Sequence, residues 1–539
     1  MIAPATERPA ASAPAVRRRA GLDAAPILVV ASALVYSAAF PPLDVAALAW
    51  VGLVPFFVAA AKARSVRRAA LLGLLWGVAL TAGVGWPLPG MIVRYFGEPA
   101  WVAALVSLAV AIGLSGVFYA AFAGWLAVVA RAGAAGPLLV AAGFAACELL
   151  RGSLVGANPW GLAAYSQTSS AAALPIVQIA DLAGPYAIGF LVAAVNASLA
   201  ACATRALRGR HPRAAIACVA ALLVGATAYG LARLATPFDG DPIAVAIVQP
   251  GTARGFEWRP EYAKELPEGL LAQSEAAAVR DAALVVWPES AVSFYVQEDR
   301  PERRALLAAV GERARDLVFG GPAYAYGERA VEYYNSIFLV RDGRLAGRYD
   351  KLRLVPLAER DDLHGLLPRA YAYTPGRDAA PLRSRAGKLG AFLCFEAMYP
   401  ETVRRFVAGG ADLLVNLSND AWFGGAAPAE MHLAMARLRA VETRRWLVRG
   451  ATTGVSAIVD PHGRVTARSA WGEPAIVTGD VRRAASSTFY AQHGDVLAWL
   501  DLIVVFAVAL RYSIGSARRR SRPQNAAAGP AEPSGEDNP

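Results

Sequence analysis

Residues 101–130, WVAALVSLAVAIGLSGVFYAAFAGWLAVVA, contain no charged side chain. As a helix this run is about 45 Å long at ~1.5 Å per residue, more than the ~30 Å hydrocarbon core of a bilayer. Comparable apolar stretches fall near 25–41, 43–61, 66–86, 135–150, 175–203, 212–235 and 495–513. They predict about eight spans, with the one at 101–130 tilted and those at 25–41 and 135–150 short. The excess of apolar residues (56% of 539) and the mean hydropathy of +0.38 come largely from these runs, which place the chain among membrane proteins.

Charge orients the spans. Arg17–Arg19 precede the first, Lys62, Arg64, Arg67 and Arg68 separate the second and third, and Arg131 follows the fourth. Arg205, Arg208, Arg210 and Arg213 precede the seventh, and Arg518–Arg520 with Arg522 follow the last. The alternate loops near 87–100 and 151–174 carry little beyond Arg94 and Arg151. The positive-inside rule then puts both termini in the cytoplasm and the long segment 236–494 outside it. The net charge of +11 is on this reading a topology signal, and no nucleic acid partner is expected. Residues 1–20 and 514–539 read as disordered tails, residues 21–235 as a seven-span membrane domain, and 495–513 as the final helix.

Between 236 and 494 the pattern changes. Short apolar runs at 243–250, 283–290, 316–321, 336–340, 389–395 and 412–418 read as buried strands. Helical stretches near 260–281, 302–315, 400–409 and 427–447 alternate with some of them, and 457–465 reads as a hairpin. Strands interleaved with helices predict an α/β domain. Reactive groups collect where its strands end: Glu289 after VVWP, Cys394 after LGAFL, Asn419 and Trp422 after LLVNLS. Lys351 and Glu359 sit on a connection following a strand.

Cys394 is one of four cysteines, and the other three lie in apolar segments. A lone cysteine is ordinarily a small buried hydrophobe. In an oxidising compartment, however, an unpaired thiol beside carboxylates suits covalent catalysis, since a thiol needs a base to become a nucleophile. Trp287 and Pro288 imply that Glu289 is partly desolvated and so a better proton acceptor. Lys351, otherwise a solvated lysine, would stabilise an oxyanion. A Cys–His pair through His432 or His364 stays open on the residues alone. No metal-ligand spacing and no Gly-rich phosphate loop occur, so neither metal nor cofactor is expected.

With Glu289 in WPES, Lys351 in YDKLRLVP, Cys394 in FLCFE and the stretch NLSNDAWFG, residues 236–494 resemble a carbon–nitrogen hydrolase (nitrilase-type) domain. Together with FPPLDVAALAWVGLVPF and RGSLVGANPWGLAAYSQ in the membrane region, the chain resembles the apolipoprotein N-acyltransferase family over about 25–513. The resemblance implies an extracytoplasmic α-β-β-α sandwich carried by the multi-span helical domain, in the bacterial cytoplasmic (inner) membrane with the catalytic domain on the periplasmic side. It implies Glu289 as general base, Lys351 as oxyanion-stabilising ammonium and Cys394 as nucleophile. Glu359, Glu396 and Asn419 would support them, and Trp258, Trp422 and Phe395 would lie near substrate. Phe395 stands where relatives often carry Tyr.

The implied reaction is ping-pong transfer of an acyl chain, from the sn-1 position of phosphatidylethanolamine, through a Cys394 thioester to the amine of a diacylglyceryl-cysteine apolipoprotein, by a monomer. Two apolar loops, 290–297 with Phe294 and Tyr295, and 361–373 with Leu366 and Leu367, are expected to be membrane-facing lids or core. The competing readings are a membrane-tethered amidase that gives its thioester to water, and a non-enzymatic ligand-binding protein.

Overall fold

The computed structural model describes residues 23–520 apart from 155–157, 252–261, 277–278, 280, 314, 329, 357, 361–371 and 485. The apolar stretches of the first half are helical. Four helices are long and apolar enough to cross a membrane: Val66–Val84, Ala100–Arg131, Ala180–Ala203 and Pro212–Leu234. Ala25–Ser37 and the interrupted segment Ala46–Lys62 are apolar but shorter, while Pro137–Ser153 and Val496–Arg520 pack against each other. Described helices of crossing length and composition are thus four, against the eight spans expected. Pro55 starts a new helix in the second run, and the fifth, Pro137–Ser153, has 17 residues; Gly184 (φ 70°, ψ −167°) followed by Pro185 kinks the sixth, which still counts among the four.

Broken helices in lipid leave backbone groups that water cannot satisfy. Buried polar side chains take that role here. Asn196 accepts from Leu53 N (2.9 Å) and donates to Ala49 O (2.8 Å), closing the break ahead of Val54–Lys62. Glu148 accepts from Ala163 N (2.9 Å), and Arg151 donates to the carbonyls of Asn158 and Trp160 (2.7 and 2.8 Å). These residues hold the irregular segment after Pro137–Ser153 against the bundle. Phe56, Trp76, Tyr119, Phe122 and Phe144 fill the centre of the bundle, with Phe56 stacked on Trp76 at 4.8 Å. Gly73 permits this packing: a Cβ there would lie 2.2 Å from the carbonyl of Tyr119.

The second half forms two six-stranded sheets. The strands of the first are β1 (Ile243–Gln249), β2 (Leu284–Val286), β3 (Asp316–Tyr326), β4 (Val331–Arg341) and β5 (Arg344–Asp350), and of the second β6 (Leu382–Ser384), β7 (Gly387–Leu393), β8 (Leu413–Ser418), β9 (Leu447–Ala451), β10 (Ala457–Val459) and β11 (Val465–Arg468). A twelfth strand, β12 (Ala475–Val481), returns to pair antiparallel with β1. The orders are β12-β1-β2-β3-β4-β5 and β11-β10-β9-β8-β7-β6. Strands β1, β2 and β3 run parallel, as do β7, β8 and β9, which aligns their carboxyl ends. Val245, Ile247, Val286 and Ile337 of one sheet share a dry core with Ala391, Leu393, Val415 and Val448 of the other.

Helices Tyr262–Ser274 and Pro301–Gly311 contribute Leu270, Leu306 and Val310 to the outer face of the first sheet. Helices Pro400–Ala408 and Ala426–Thr443 cover the second, giving the α-β-β-α layering. The last of these is apolar on two faces. Ala429, Leu433, Ala436 and Ala440 pack into the sheet core, whereas Met431, Met435, Leu438 and Val441 join the core of the membrane half. A helix with two apolar stripes must be covered on both sides, and this one is the seam between the two halves.

Candidate active site

The carboxyl ends of the strands converge on one place. Cys394 follows β7 and opens a 3-10 turn, Cys394–Met398, with a left-handed backbone (φ 45°). That conformation costs a non-glycine residue about 1–2 kcal/mol, so its surroundings must hold it. Glu396 does so from one side. It is fully buried, its Oε2 accepts from Leu393 N (2.7 Å), and its Oε1 accepts from Tyr349 Oη (2.7 Å), Leu352 N (2.8 Å) and Arg353 N (3.0 Å). One carboxylate thereby joins the turn of Cys394 to the backbone just after Lys351. Burial raises its pKa, and the donors around it oppose the rise.

Glu289, Lys351 and Glu359 are buried together. Lys351 Nζ lies 2.9 Å from Glu359 Oε1 and 3.5 Å from Glu289 Oε1. The other Glu359 oxygen accepts from Val355 N at 2.8 Å. Glu289 Oε2 accepts from Asn419 N at 2.8 Å, so Asn419 acts here through its backbone. β3 approaches closely enough for this because residue 320 is glycine: a Cβ there would lie 2.7 Å from Glu289 Cα. Burial alone would push the Lys351 ammonium toward neutrality, but Glu359 and Glu289 more than reverse that and hold it charged. Burial, reinforced by Glu289, lifts the Cys394 thiol well above its ordinary pKa, with Lys351 pulling the other way. The balance of these effects favours the protonated thiol.

Asn335 of β4 is the member that sequence reasoning missed. Its Nδ2 donates to Glu289 Oε1 (2.8 Å) and Glu359 Oε1 (2.9 Å), bridging two carboxylates of like charge. An asparagine just ahead of the apolar run 336–340 was the available signal. His432 was named only as a possible base, and the structure aims it elsewhere: its Nε2 lies 2.9 Å from the carbonyl oxygen of Cys394, and its Nδ1 2.9 Å from Asp420 Oδ1. The thiol, carboxylate and imidazole of Cys394, Asp420 and His432 lie within 4.8 Å of one another, residue types that zinc takes. Arg449 Nη2, however, is 2.7 Å from Asp420 Oδ2 and 3.1 Å from His432 Nδ1. A guanidinium already neutralises the carboxylate that a cation would need.

Among the expected substrate neighbours, Trp422 is half-buried on the 3-10 turn Asp420–Phe423 directly after Asn419. Phe395 packs against the core of the membrane half and edge-on to Tyr399 at 5.4 Å. Trp258, Leu366 and Leu367 lie outside the described residues. The 290–297 loop takes the packed alternative: Val292, Phe294 and Val296 are buried in the outer core of the first sheet, which corrects its expectation as a lid.

The carbon-nitrogen hydrolase family pattern matches residues 244–489, and that of the apolipoprotein N-acyltransferase N-terminal domain matches residues 32–198. The chain is 31% identical over 510 residues to the apolipoprotein N-acyltransferase of Geobacter metallireducens, covering 90% of this chain and 95% of the relative. It is 33% identical over 491 residues to the one from Methylococcus capsulatus, covering 87% and 92%. Among solved structures, a Saccharomyces cerevisiae member of the nitrilase superfamily overlaps 45% of this chain and 90% of its own, at 20% identity and a TM-score of 0.36. An amidase from Nesterenkonia overlaps 48% and 94%, at 21% identity and a TM-score of 0.36.

Proposed function

The chain belongs to the apolipoprotein N-acyltransferase family, and from that membership we propose that it carries an acyl chain from a phospholipid, through a thioester on Cys394, to the terminal amine of a diacylglyceryl-cysteine lipoprotein. The observation that carries this reading is the seat of the thiol. Phe395, Met398 and Tyr399, on the turn Cys394 opens and just past it, pack into the core of the membrane half, while Glu289 and Lys351, past the ends of β2 and β5, act on the thiol from the first sheet and Glu359 holds Lys351. A thiol at the seam of a membrane bundle and an α/β domain suits an ester held in a bilayer.

In the proposed sequence Glu289 takes the thiol proton as sulfur attacks the ester carbonyl. Lys351, held by Glu359, stabilises the oxyanion. Collapse of the tetrahedral species breaks the C–O bond, the lysophospholipid alkoxide leaves with the proton from Glu289, and the thioester remains. The acceptor amine then attacks the thioester, loses a proton to Glu289, and expels the thiolate, which takes that proton back. An apolar seam keeps water from competing with the amine. The eight-crossing topology, with residues 236–494 on the periplasmic face of the inner membrane and action as a monomer, completes the proposal.

The test uses purified protein with phosphatidylethanolamine and a diacylglyceryl-cysteine peptide, followed by mass spectrometry. A hydroxylamine-labile acyl adduct on Cys394 that passes to the peptide amine is the expected result. Free fatty acid beside an unmodified peptide would instead make the chain a hydrolase, and full activity in Cys394→Ala would overturn the nucleophile.

A further inference from the structure

Behind the nucleophile lies a buried polar chain that the proposed acyl transfer does not use. Arg449, on β9, is fully buried, as are Asp420 and His432. Arg449 Nη1 donates to Asn416 Oδ1 and its Nη2 to Asp420 Oδ2 at 2.7 Å. Asp420 Oδ1 also accepts from Ser418 Oγ at 2.6 Å and faces His432 Nδ1 at 2.9 Å. The chain ends where His432 Nε2 meets the carbonyl oxygen of Cys394. A carbonyl oxygen only accepts, so Nε2 carries the hydrogen. A ring nitrogen so committed is not the base for the thiol.

What that hydrogen bond controls is a peptide plane. The Cys394–Phe395 peptide is planar, and in a trans peptide its C=O and N–H point in opposite directions. Fixing the carbonyl on His432 therefore directs the Phe395 N–H the other way. Phe395 is the second residue of the 3-10 turn, where N–H groups have no acceptor within the helix. We propose that His432, held by Asp420 and Arg449, is a positioning residue that aims the Phe395 N–H as a second oxyanion donor beside Lys351.

The membrane half braces the device. The Phe423 ring lies edge-on to His432 at 5.6 Å and is itself packed on Trp160 at 5.7 Å. The carbonyl of Phe423 accepts from Arg94 Nη2 at 2.9 Å. Trp160 and Arg94 both belong to the membrane half, so docking of the two halves fixes the imidazole that fixes the nucleophile's peptide.

The inference rests on Cys394 being the acylated residue, and single-turnover formation of its acyl adduct from phosphatidylethanolamine tests it. His432→Leu should slow that step about 100-fold, the usual loss for one oxyanion donor, at unchanged half-saturation by phospholipid. His432→Gln, whose amide can still donate to the carbonyl, should recover at least tenfold of the loss, with the acid limb of the pH–rate profile where the native protein has it. A native rate in His432→Leu, a His432→Gln protein as slow as His432→Leu though folded by circular dichroism, or a shifted acid limb would each overturn the assignment. If His432→Leu does not fold, the His432→Gln rate and pH profile decide alone. Failure of the acyl-transfer reading is recognised separately, by an adduct that does not form on native Cys394.

Discussion

At the scale of single residues, Glu289 has two effects of opposite sign on Cys394. As a neighbouring anion it holds the proton on sulfur, because with burial it raises the thiol pKa. In the proposed mechanism it is also the acceptor for that proton. Glu289→Gln separates the two, since it removes the anion while leaving Lys351 charged beside Glu359. The pH midpoint for alkylation of Cys394 by a small iodoacetamide should move down in this variant, toward the ordinary thiol range. Acyl transfer should nevertheless fall by at least ~100-fold, the scale of a lost general base. If alkylation and acyl transfer drop together, Glu289 is not acting as both. Asn335 belongs to the same balance, because its amide lets two carboxylates share one ammonium.

At the scale of elements, the hairpin of β10 and β11 docks the α/β domain on the membrane half through its turn. The carbonyl of His462 accepts from Gln178 Nε2 at 3.0 Å, and its ring packs on Phe238 at 4.7 Å. Burial pushes the imidazole from its ordinary 6.5 down to about 4, and Arg444, Arg464 and Arg233 add to the fall. Between those values the unfolded chain binds more protons than the folded one, so stability is complete above pH ~6.5 and declines as pH falls toward ~4. The thermal midpoint of the detergent-solubilised protein should drop across that window. His462→Gln should flatten the dependence, and an equal slope in both proteins would rule His462 out as its source.

At the scale of the whole molecule, one buried ion pair joins the halves. Asp181, at the start of Ala180–Ala203, lies 2.8 Å from Arg444 Nη2 and 3.2 Å from Arg233 Nε, and Tyr229 Oη donates to it at 2.8 Å. Arg444 is the left-handed residue that ends Ala426–Thr443, the helix shared by both cores. Removing one partner of such a pair leaves the other charge buried and costs about 3–5 kcal/mol. Asp181→Asn should therefore lower the thermal midpoint. It should also slow acyl-adduct formation from phospholipid far more than alkylation of Cys394 by a water-soluble reagent, because the seam loosens while the sheet ends do not. Equal losses in the two rates would show that the change disturbs the thiol itself and not the seam, and native rates in both would show that the halves work independently.

Composition and periodicity were sufficient for the membrane class and for the α/β domain, because apolar runs of bilayer length and short strands each leave a local signature. Glu289 and Cys394 stood out as candidates for the same reason, each following its own short apolar run, whereas Lys351 follows the polar segment RLAGRYD and was named from the family resemblance. The number of long helices was not legible, since Pro55 interrupts a stretch that hydropathy reads as continuous. Nor could local pattern reveal that Asn335 bridges two carboxylates from other segments, or that His432 turns toward a carbonyl instead of a sulfur. Those roles depend on register between strands far apart in the chain and on the two faces of Ala426–Thr443. The sequence by itself determined which chemistry is present and in which solvent it sits. Only the tertiary structure decided which atom each polar group meets, because hydrogen bonds depend on distances of a few ångströms that no spacing along the chain encodes.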